Sequence, residues 1–174
     1  MIVTTYHKFL NVSENFYTKE ELKKIFDCFK KLNDKRAITF FRVFAFLGLR
    51  KDEAMALQWK DIDFENRTVS IDKTLVELKK GELLIQSTKT DSSPRVITVD
   101  SGTLSLLKEW KNYIIQQKLS LGIREENLEN NVVFSQSVLY RKTQYLGKAY
   151  PNHVMARVKK HFPNLKIIKV HDFR

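Results

Sequence analysis

A run of apolar residues that ends at a glycine constrains the fold of this chain more than any other stretch. The apolar positions are Phe40, Phe41, Val43, Phe44, Phe46 and Leu47. They surround a helix on nearly every side, which is typical of a helix buried in a core. Gly48 can end that helix, and the residues from 54 to 57 predict a second short helix. Arg50 is therefore expected at a junction of two packed helices, where a firmly held arginine suits binding of a phosphate or carboxylate.

The charge of the chain points to an acidic partner. Its 31 Lys and Arg residues outnumber 20 Asp and Glu residues, which gives a formal net charge of +11. Such an excess favours nucleic acid or an acidic membrane surface. The single cysteine, Cys28, excludes an internal disulfide framework, and no apolar run is long enough to span a bilayer. The start of the chain lacks the pattern of a signal peptide, so we predict a cytoplasmic protein with no membrane partner.

Further helices are predicted on either side of this junction. Thr18, followed three residues later by Glu21, forms a capping-box pattern that predicts a helix over about residues 18 to 32. Ser101 is expected to cap a later amphipathic helix. Residues 1–15 show no periodicity and are predicted to form a linker or an arm.

Three stretches between these helices have the composition of strands. Residues 68 to 77, 82 to 87 and 95 to 99 are rich in Thr, Val, Ile and Leu, and turn signals or polar loops separate them. We predict that they pair as an antiparallel meander. The fold class is therefore α+β and mainly α, with a small three-stranded antiparallel sheet on one side.

Four residues in these elements are candidates for chemistry on a phosphate: Arg50, Lys89, His171 and Arg174. Lys89 lies in the loop between the second and third strands, and the last two share a face if a helix begins there. Two arginines that can bind phosphate oxygens, a lysine and a histidine that titrates near neutrality suit phosphoryl transfer without a metal. The histidines and the cysteine lack metal-ligand spacing, and there is no glycine-rich phosphate loop, so we predict no metal and no cofactor.

Each candidate also has an ordinary structural interpretation. Arg50 can satisfy carbonyls at a helix end or pair with Glu53 alone. Lys89 can be a solvated turn lysine, and the residues from His171 to Arg174 can be a frayed tail. The Phe and Trp residues, Trp59 included, are interpreted as core rather than as base-stacking residues.

Four short motifs lie in a fixed order along the chain. They are Gly48-Leu-Arg50-x-x-Glu53, Ala-Leu-Gln-Trp59-Lys-Asp61-Ile-Asp63, Ser87-Thr-Lys89-Thr and His171-Asp-Phe-Arg174. In order and spacing they resemble the catalytic domain of the tyrosine recombinases, the phage-type integrases. The resemblance runs from about residue 16 to the end, so residues 16–174 are predicted to be a partial catalytic domain whose C-terminal helices are missing.

The resemblance implies a role for each matching residue. Arg50 and Arg174 would stabilise the charge on the scissile phosphate, Lys89 would give a proton to the leaving 5′-oxygen, and His171 would transfer a proton or contact the phosphate. Glu53 would support the arginine, and Asp172 would act similarly at its helix start. The implied parent enzyme cleaves and rejoins double-stranded DNA at recombination sites through a 3′-phosphotyrosyl intermediate, without a metal or small-molecule cofactor and together with other recombinase protomers.

The chain departs from the family at the nucleophile. In the family the attacking tyrosine follows the H-x-x-R motif, whereas Tyr140, Tyr145 and Tyr150 precede it. We therefore expect a truncated recombinase that binds DNA without cleaving it. The alternative is a non-catalytic DNA-binding accessory module with a degenerate integrase fold, and the sequence leaves open whether this chain is an enzyme.

Overall fold

The computed structural model describes residues 15–78, 81–87, 94–124, 127–136 and 145–173. The helices in these ranges are α1 (Lys19–Lys31), α2 (Lys35–Phe46), α3 (Lys51–Ala56), α4 (Ser101–Ser120) and α5 (Tyr150–His161). The strands are β1 (Ile62–Asp63), β2 (Thr68–Ile71), β3 (Lys73–Glu77), β4 (Leu83–Ser87) and β5 (Arg95–Thr98). Two 3-10 turns, Trp59–Asp61 and Val170–Phe173, complete the described elements. The predicted fold class, mainly helical with small antiparallel sheets, is confirmed.

Polar side chains set the starts of the long helices. The Thr18 hydroxyl accepts a hydrogen bond from the Glu21 amide at 3.2 Å, and the Glu21 carboxylate accepts one from the Thr18 amide at 2.9 Å. This confirms the predicted capping box. Helix α4 is capped by Asp100, which accepts from the Thr103 amide at 3.0 Å, so the assignment of the cap to Ser101 was one residue late. A carboxylate is an equally good cap, and the sequence offered both residues side by side.

The core is built around α2, as its all-round apolar pattern predicted. Phe40, Phe41 and Phe44 are fully buried, and the ring of Phe41 stacks on that of Phe29 in α1 with centroids 4.9 Å apart. Phe46 is the exception, because its ring is half-exposed beneath the guanidinium of Arg42, which lies 3.4 Å from the ring centroid. Trp59 is buried, in agreement with its interpretation as a core residue, and Cys28 is buried in α1.

The strands do not form the predicted meander. The first sheet has the order β1-β2-β5, and β3 pairs with β4 in a separate two-stranded sheet. Ile71 lies opposite Arg95, whereas Lys73 lies opposite Ser87, so the strand predicted over residues 68 to 77 changes partner at Asp72. Buried side chains continue to alternate across this break, at residues 69, 71 and 75. Alternation defines the buried face of a strand but not its neighbour, so the sequence could not reveal the change.

No helix in the described ranges is both long enough and apolar enough to cross a membrane.

Candidate functional site

Arg50 lies at the predicted junction between α2 and α3. Gly48 follows α2 with φ of +59°, a left-handed conformation that glycine adopts without the strain of a side chain. Leu49 is fully buried, and Arg50 is the N-cap residue of α3. Its own side chain is 61% exposed. The backbone of Arg50 is thus fixed by packed elements, while its guanidinium reaches solvent.

Glu53 holds the backbone of Arg50 in place. Its carboxylate accepts a hydrogen bond from the Arg50 amide at 2.8 Å, and the Arg50 guanidinium approaches it at 3.3 Å. The first contact is the returning half of a capping box; arginine has no acceptor with which to make the other half. The Glu53 side chain is only 1% exposed, so its charge depends on protein partners rather than on water.

The main partner of Glu53 is Arg95, a residue that sequence reasoning missed. The two guanidinium nitrogens Nη1 and Nη2 of Arg95 lie 3.1 and 2.7 Å from Oε1 and Oε2 of Glu53, which is a bidentate ion pair. Arg95 is the first residue of β5 and lies on the same face as Ile97. One sequence signal could have found it, namely a single arginine on the inward side of an alternating strand.

These contacts shift the titration of Glu53. Burial acts to raise the pKa of this carboxyl, but the hydrogen bonds from Arg95 and from the Arg50 amide outweigh burial and hold the pKa below its ordinary value. The ionised carboxylate is therefore the form that the folded protein favours.

We expect the contribution of Glu53 to stability to disappear in acid. Because the folded-state pKa is depressed, the contribution is fully present above the unfolded-state pKa of about 4.3 and is lost as the pH falls through the folded-state value. Urea unfolding of the wild type and of Glu53→Gln between neutral pH and pH of about 3 measures it. The difference in free energy of unfolding should change steadily below pH of about 4.3, and a difference that stays constant would contradict the assignment.

The second predicted part of the site, around His171, forms a packed turn. Val170–Phe173 is a 3-10 turn in which His171 is exposed and Phe173 is buried. The Phe173 ring lies 5.0 Å from the ring of Phe41 in α2 and 5.0 Å from that of Tyr17. The turn is thus anchored to the helix that leads to Arg50, so residues 170–173 are not the frayed tail that one interpretation allowed.

Tyr17 contacts the segment that precedes this turn, and Asp172 lies within the turn. The Tyr17 hydroxyl donates to the carbonyl of Lys166 at 3.0 Å and accepts from the amide of Ile168 at 3.2 Å. These hydrogen bonds join Tyr17, near the start of the described residues, to the segment that precedes the turn. Asp172 Oδ2 is buried and has no hydrogen-bond partner among the described residues. The proposed support by Asp172 therefore stays a prediction.

Lys89 and Arg174 lie outside the described residues, and so does Tyr140. The roles expected of Lys89 and Arg174, and their convergence with Arg50 and His171 on one phosphate, stay predictions.

Tyr150 has the opposite of the environment that a nucleophile needs. Its hydroxyl is buried without a hydrogen-bond partner among the described residues. Burial, together with the negative charge of Asp34, raises the pKa of Tyr150 well above its ordinary value. An activated nucleophile requires easy loss of the proton, so we interpret this partly buried tyrosine as a packing residue against the core. Within the described part of the chain, no group of three or more His, Cys, Asp or Glu side chains could hold a metal ion.

Comparison with known proteins identifies the family. Residues 15–174 match the model of the phage integrase family. The chain belongs to this family. The ICEBs1 integrase of Bacillus subtilis (strain 168) is 31% identical over 163 residues, an alignment that covers 91% of this chain and 40% of that protein. A tyrosine recombinase XerC-like protein of Caldanaerobacter subterraneus subsp. tengcongensis is 28% identical over 128 residues, covering 68% of this chain and 32% of the relative.

Solved structures of an integrase and of a recombinase have the same fold. The Tn1549 transposon integrase in complex with transposon right end DNA superposes with a TM-score of 0.67 at 16% identity, over 91% of this chain and 50% of that one. XerA recombinase gives a TM-score of 0.60 at 13% identity, over 91% and 47%. This integrase-family chain spans half or less of the length of these proteins. The resemblance drawn from the four motifs is confirmed.

Proposed function

We propose that this chain is the phosphate-binding part of a tyrosine recombinase active site that acts on double-stranded DNA. The observation that carries the proposal is the geometry of Arg50, whose backbone is fixed by Gly48 and Glu53 while its guanidinium is 61% exposed. Because the backbone of Arg50 is already fixed, binding of an anion requires little further loss of backbone conformational entropy. Family membership and the net charge of +11 support DNA as that anion.

The chemistry follows from the roles of the four candidate residues. Arg50 and Arg174 bind the non-bridging oxygens of the scissile phosphate and stabilise the charge of its five-coordinate state. An attacking tyrosine forms a 3′-phosphotyrosyl bond as the bond to the 5′-oxygen breaks, and Lys89 gives that oxygen a proton. His171 transfers a proton or contacts the phosphate. Attack by a second 5′-hydroxyl reverses the step and joins new strands. The phosphotyrosyl bond keeps the phosphate activated between the two steps, so no energy-supplying cofactor is consumed.

We assign no tyrosine of these 174 residues as the nucleophile. The chain is therefore expected to bind duplex DNA without cleaving it, and other recombinase protomers are its expected partners on DNA. Titration of a radiolabelled or fluorescent duplex should show salt-sensitive binding and no broken strand.

Replacement of Arg50 by alanine is expected to weaken DNA binding without unfolding the chain. Loss of one phosphate contact should lower affinity for a duplex about tenfold and reduce the slope of log affinity against log salt by about 1. The melting temperature should change little, because among the described residues the exposed guanidinium makes a single side-chain contact, of 3.3 Å with Glu53. Fluorescence anisotropy at several salt concentrations, together with thermal melting, measures both effects.

Arg124→Ala is the matched control for this experiment. It removes the same charge from an exposed position in the loop after α4. If Arg50→Ala and Arg124→Ala weaken binding equally, Arg50 contributes only net charge and the proposed site is wrong.

Strand cleavage is tested with the protein encoded by the complete reading frame and a nicked suicide DNA substrate. A covalent protein–DNA adduct that Arg50→Ala abolishes is the expected result. Absence of any adduct would favour the non-catalytic accessory module, and an adduct insensitive to Arg50→Ala would overturn the mechanism.

A further inference from the structure

Glu53 connects the start of α3 to the start of β5, two elements that are far apart in the sequence. Arg95 begins β5, while Arg50 is the N-cap residue of α3, and both donate hydrogen bonds to the carboxylate of Glu53. Arg95 lies opposite Ile71 of β2, a buried residue, so its backbone is held by the three-stranded sheet. The ion pair therefore fixes the sheet to the start of α3.

The distances show which of the two arginines interacts more strongly with the carboxylate of Glu53. Arg95 makes two hydrogen bonds to Glu53, of 3.1 and 2.7 Å, whereas the guanidinium of Arg50 makes one contact of 3.3 Å with it. The Arg95 side chain is also the less exposed of the two. Because a buried carboxylate must be compensated by neighbouring cations, Arg95 supplies most of the compensation.

We propose that Arg95 is a positioning residue that keeps the guanidinium of Arg50 available to a phosphate of DNA. By neutralising most of the charge of Glu53, it weakens the attraction of that carboxylate for the Arg50 guanidinium, which lies 3.3 Å away. Among the described residues, Arg50 and Arg95 supply the cations that pair with Glu53, so without Arg95 the carboxylate competes with DNA for the guanidinium of Arg50. This inference rests on the proposed function of Arg50 as a phosphate ligand.

The proposal makes a specific prediction about pairs of substitutions. Arg95→Ala should lower the affinity for a duplex about fivefold to tenfold, although Arg95 acts through Glu53 rather than on DNA. When Glu53 is already glutamine, the same Arg95→Ala change should lower affinity by less than about twofold, since no negative charge remains to draw Arg50 inward. In the Arg50→Ala background, Arg95→Ala should likewise have little further effect.

The double substitutions separate this mechanism from simpler ones. Arg95→Ala removes one positive charge in every background, so a general electrostatic effect would lower affinity equally in all of them. A direct contact between Arg95 and DNA would also survive Glu53→Gln. An equal loss in the wild type and in Glu53→Gln, or no loss in the wild type, would overturn the proposal.

Two further measurements keep the outcome decisive. Each variant is first tested for cooperative thermal melting above the assay temperature. If Arg95→Ala does not fold, Arg95→Lys replaces it, because lysine keeps the charge but cannot bind the carboxylate in a bidentate manner. A loss of about threefold is then expected in the wild type and none with Glu53→Gln, and an equal loss in both overturns the proposal. Failure of the proposed function is recognised separately, since Arg50→Ala alone would then weaken DNA binding no more than Arg124→Ala does.

Discussion

Replacement of Phe41 by alanine is expected to lower the free energy of unfolding by about 3–5 kcal/mol. Phe41 is fully buried in α2, and its ring lies 4.9 Å from the ring of Phe29 and 5.0 Å from that of Phe173. Alanine would remove apolar burial and leave a cavity shared by α1, α2 and the turn that carries His171. Urea unfolding followed by circular dichroism measures the change.

Phe16→Ala is the control for Phe41→Ala. Phe16 is a phenylalanine with more than half of its surface exposed, so its replacement should cost less than about 1 kcal/mol. Equal costs at the two positions would show that the stacked rings around α2 are not the main core. Because Phe173 belongs to the same cluster, Phe41→Ala should also loosen the turn around His171, which hydrogen exchange of its amides can detect.

Replacement of Lys73 by alanine is expected to have the second large effect and to lower the free energy of unfolding by about 3 kcal/mol. The Lys73 ammonium lies 2.6 Å from Asp61 and 2.6 Å from Asp72, and the Asp61 side chain is only 7% exposed. After the substitution, the Asp61 carboxylate would stay buried with the Gln58 amide as its described hydrogen-bond donor. Breaking a buried ion pair costs more than the pair contributes, because one charge is left without compensation.

Lys30→Ala is the control, because it measures how much the loss of an exposed ion pair lowers the free energy of unfolding. Lys30 and Asp27 form a 3.5 Å pair in which both side chains are largely exposed, so its loss should cost less than about 0.5 kcal/mol. If Lys73→Ala costs no more than Lys30→Ala, water reaches Asp61 and the pair is not a structural link between the first 3-10 turn and β3.

The features that the sequence predicted correctly are local. Thr18 and Glu21 cap the first helix through residues three apart, and the apolar residues of α2 define a buried helix by their spacing alone. The position of Arg50 also followed from local signals, because Gly48 ends one helix and Glu53 lies in the first turn of the next. Interactions over three or four residues depend on backbone geometry that the chain specifies without distant partners.

The missed features involve residues far apart in the chain. Glu53 and Arg95 are 42 positions apart, and the contact of Arg95 with Glu53 depends on the pairing of β5 with β2. Phe173 likewise anchors its turn by packing on Phe41. A strand's alternation does not name its partner strand, so neither the ion pair nor the division into two sheets could be read from the spacing.

The sequence by itself determined the helices, the placement of Arg50 at their junction and the four motifs that identify the integrase family, because all of these depend on short-range spacing and residue order. Only the tertiary structure decided that Arg95, more than Arg50, compensates the charge of Glu53. The physical reason is that a buried carboxylate is compensated by whichever cation the fold brings to it, and strand pairing brings Arg95 there while the guanidinium of Arg50 stays exposed to solvent.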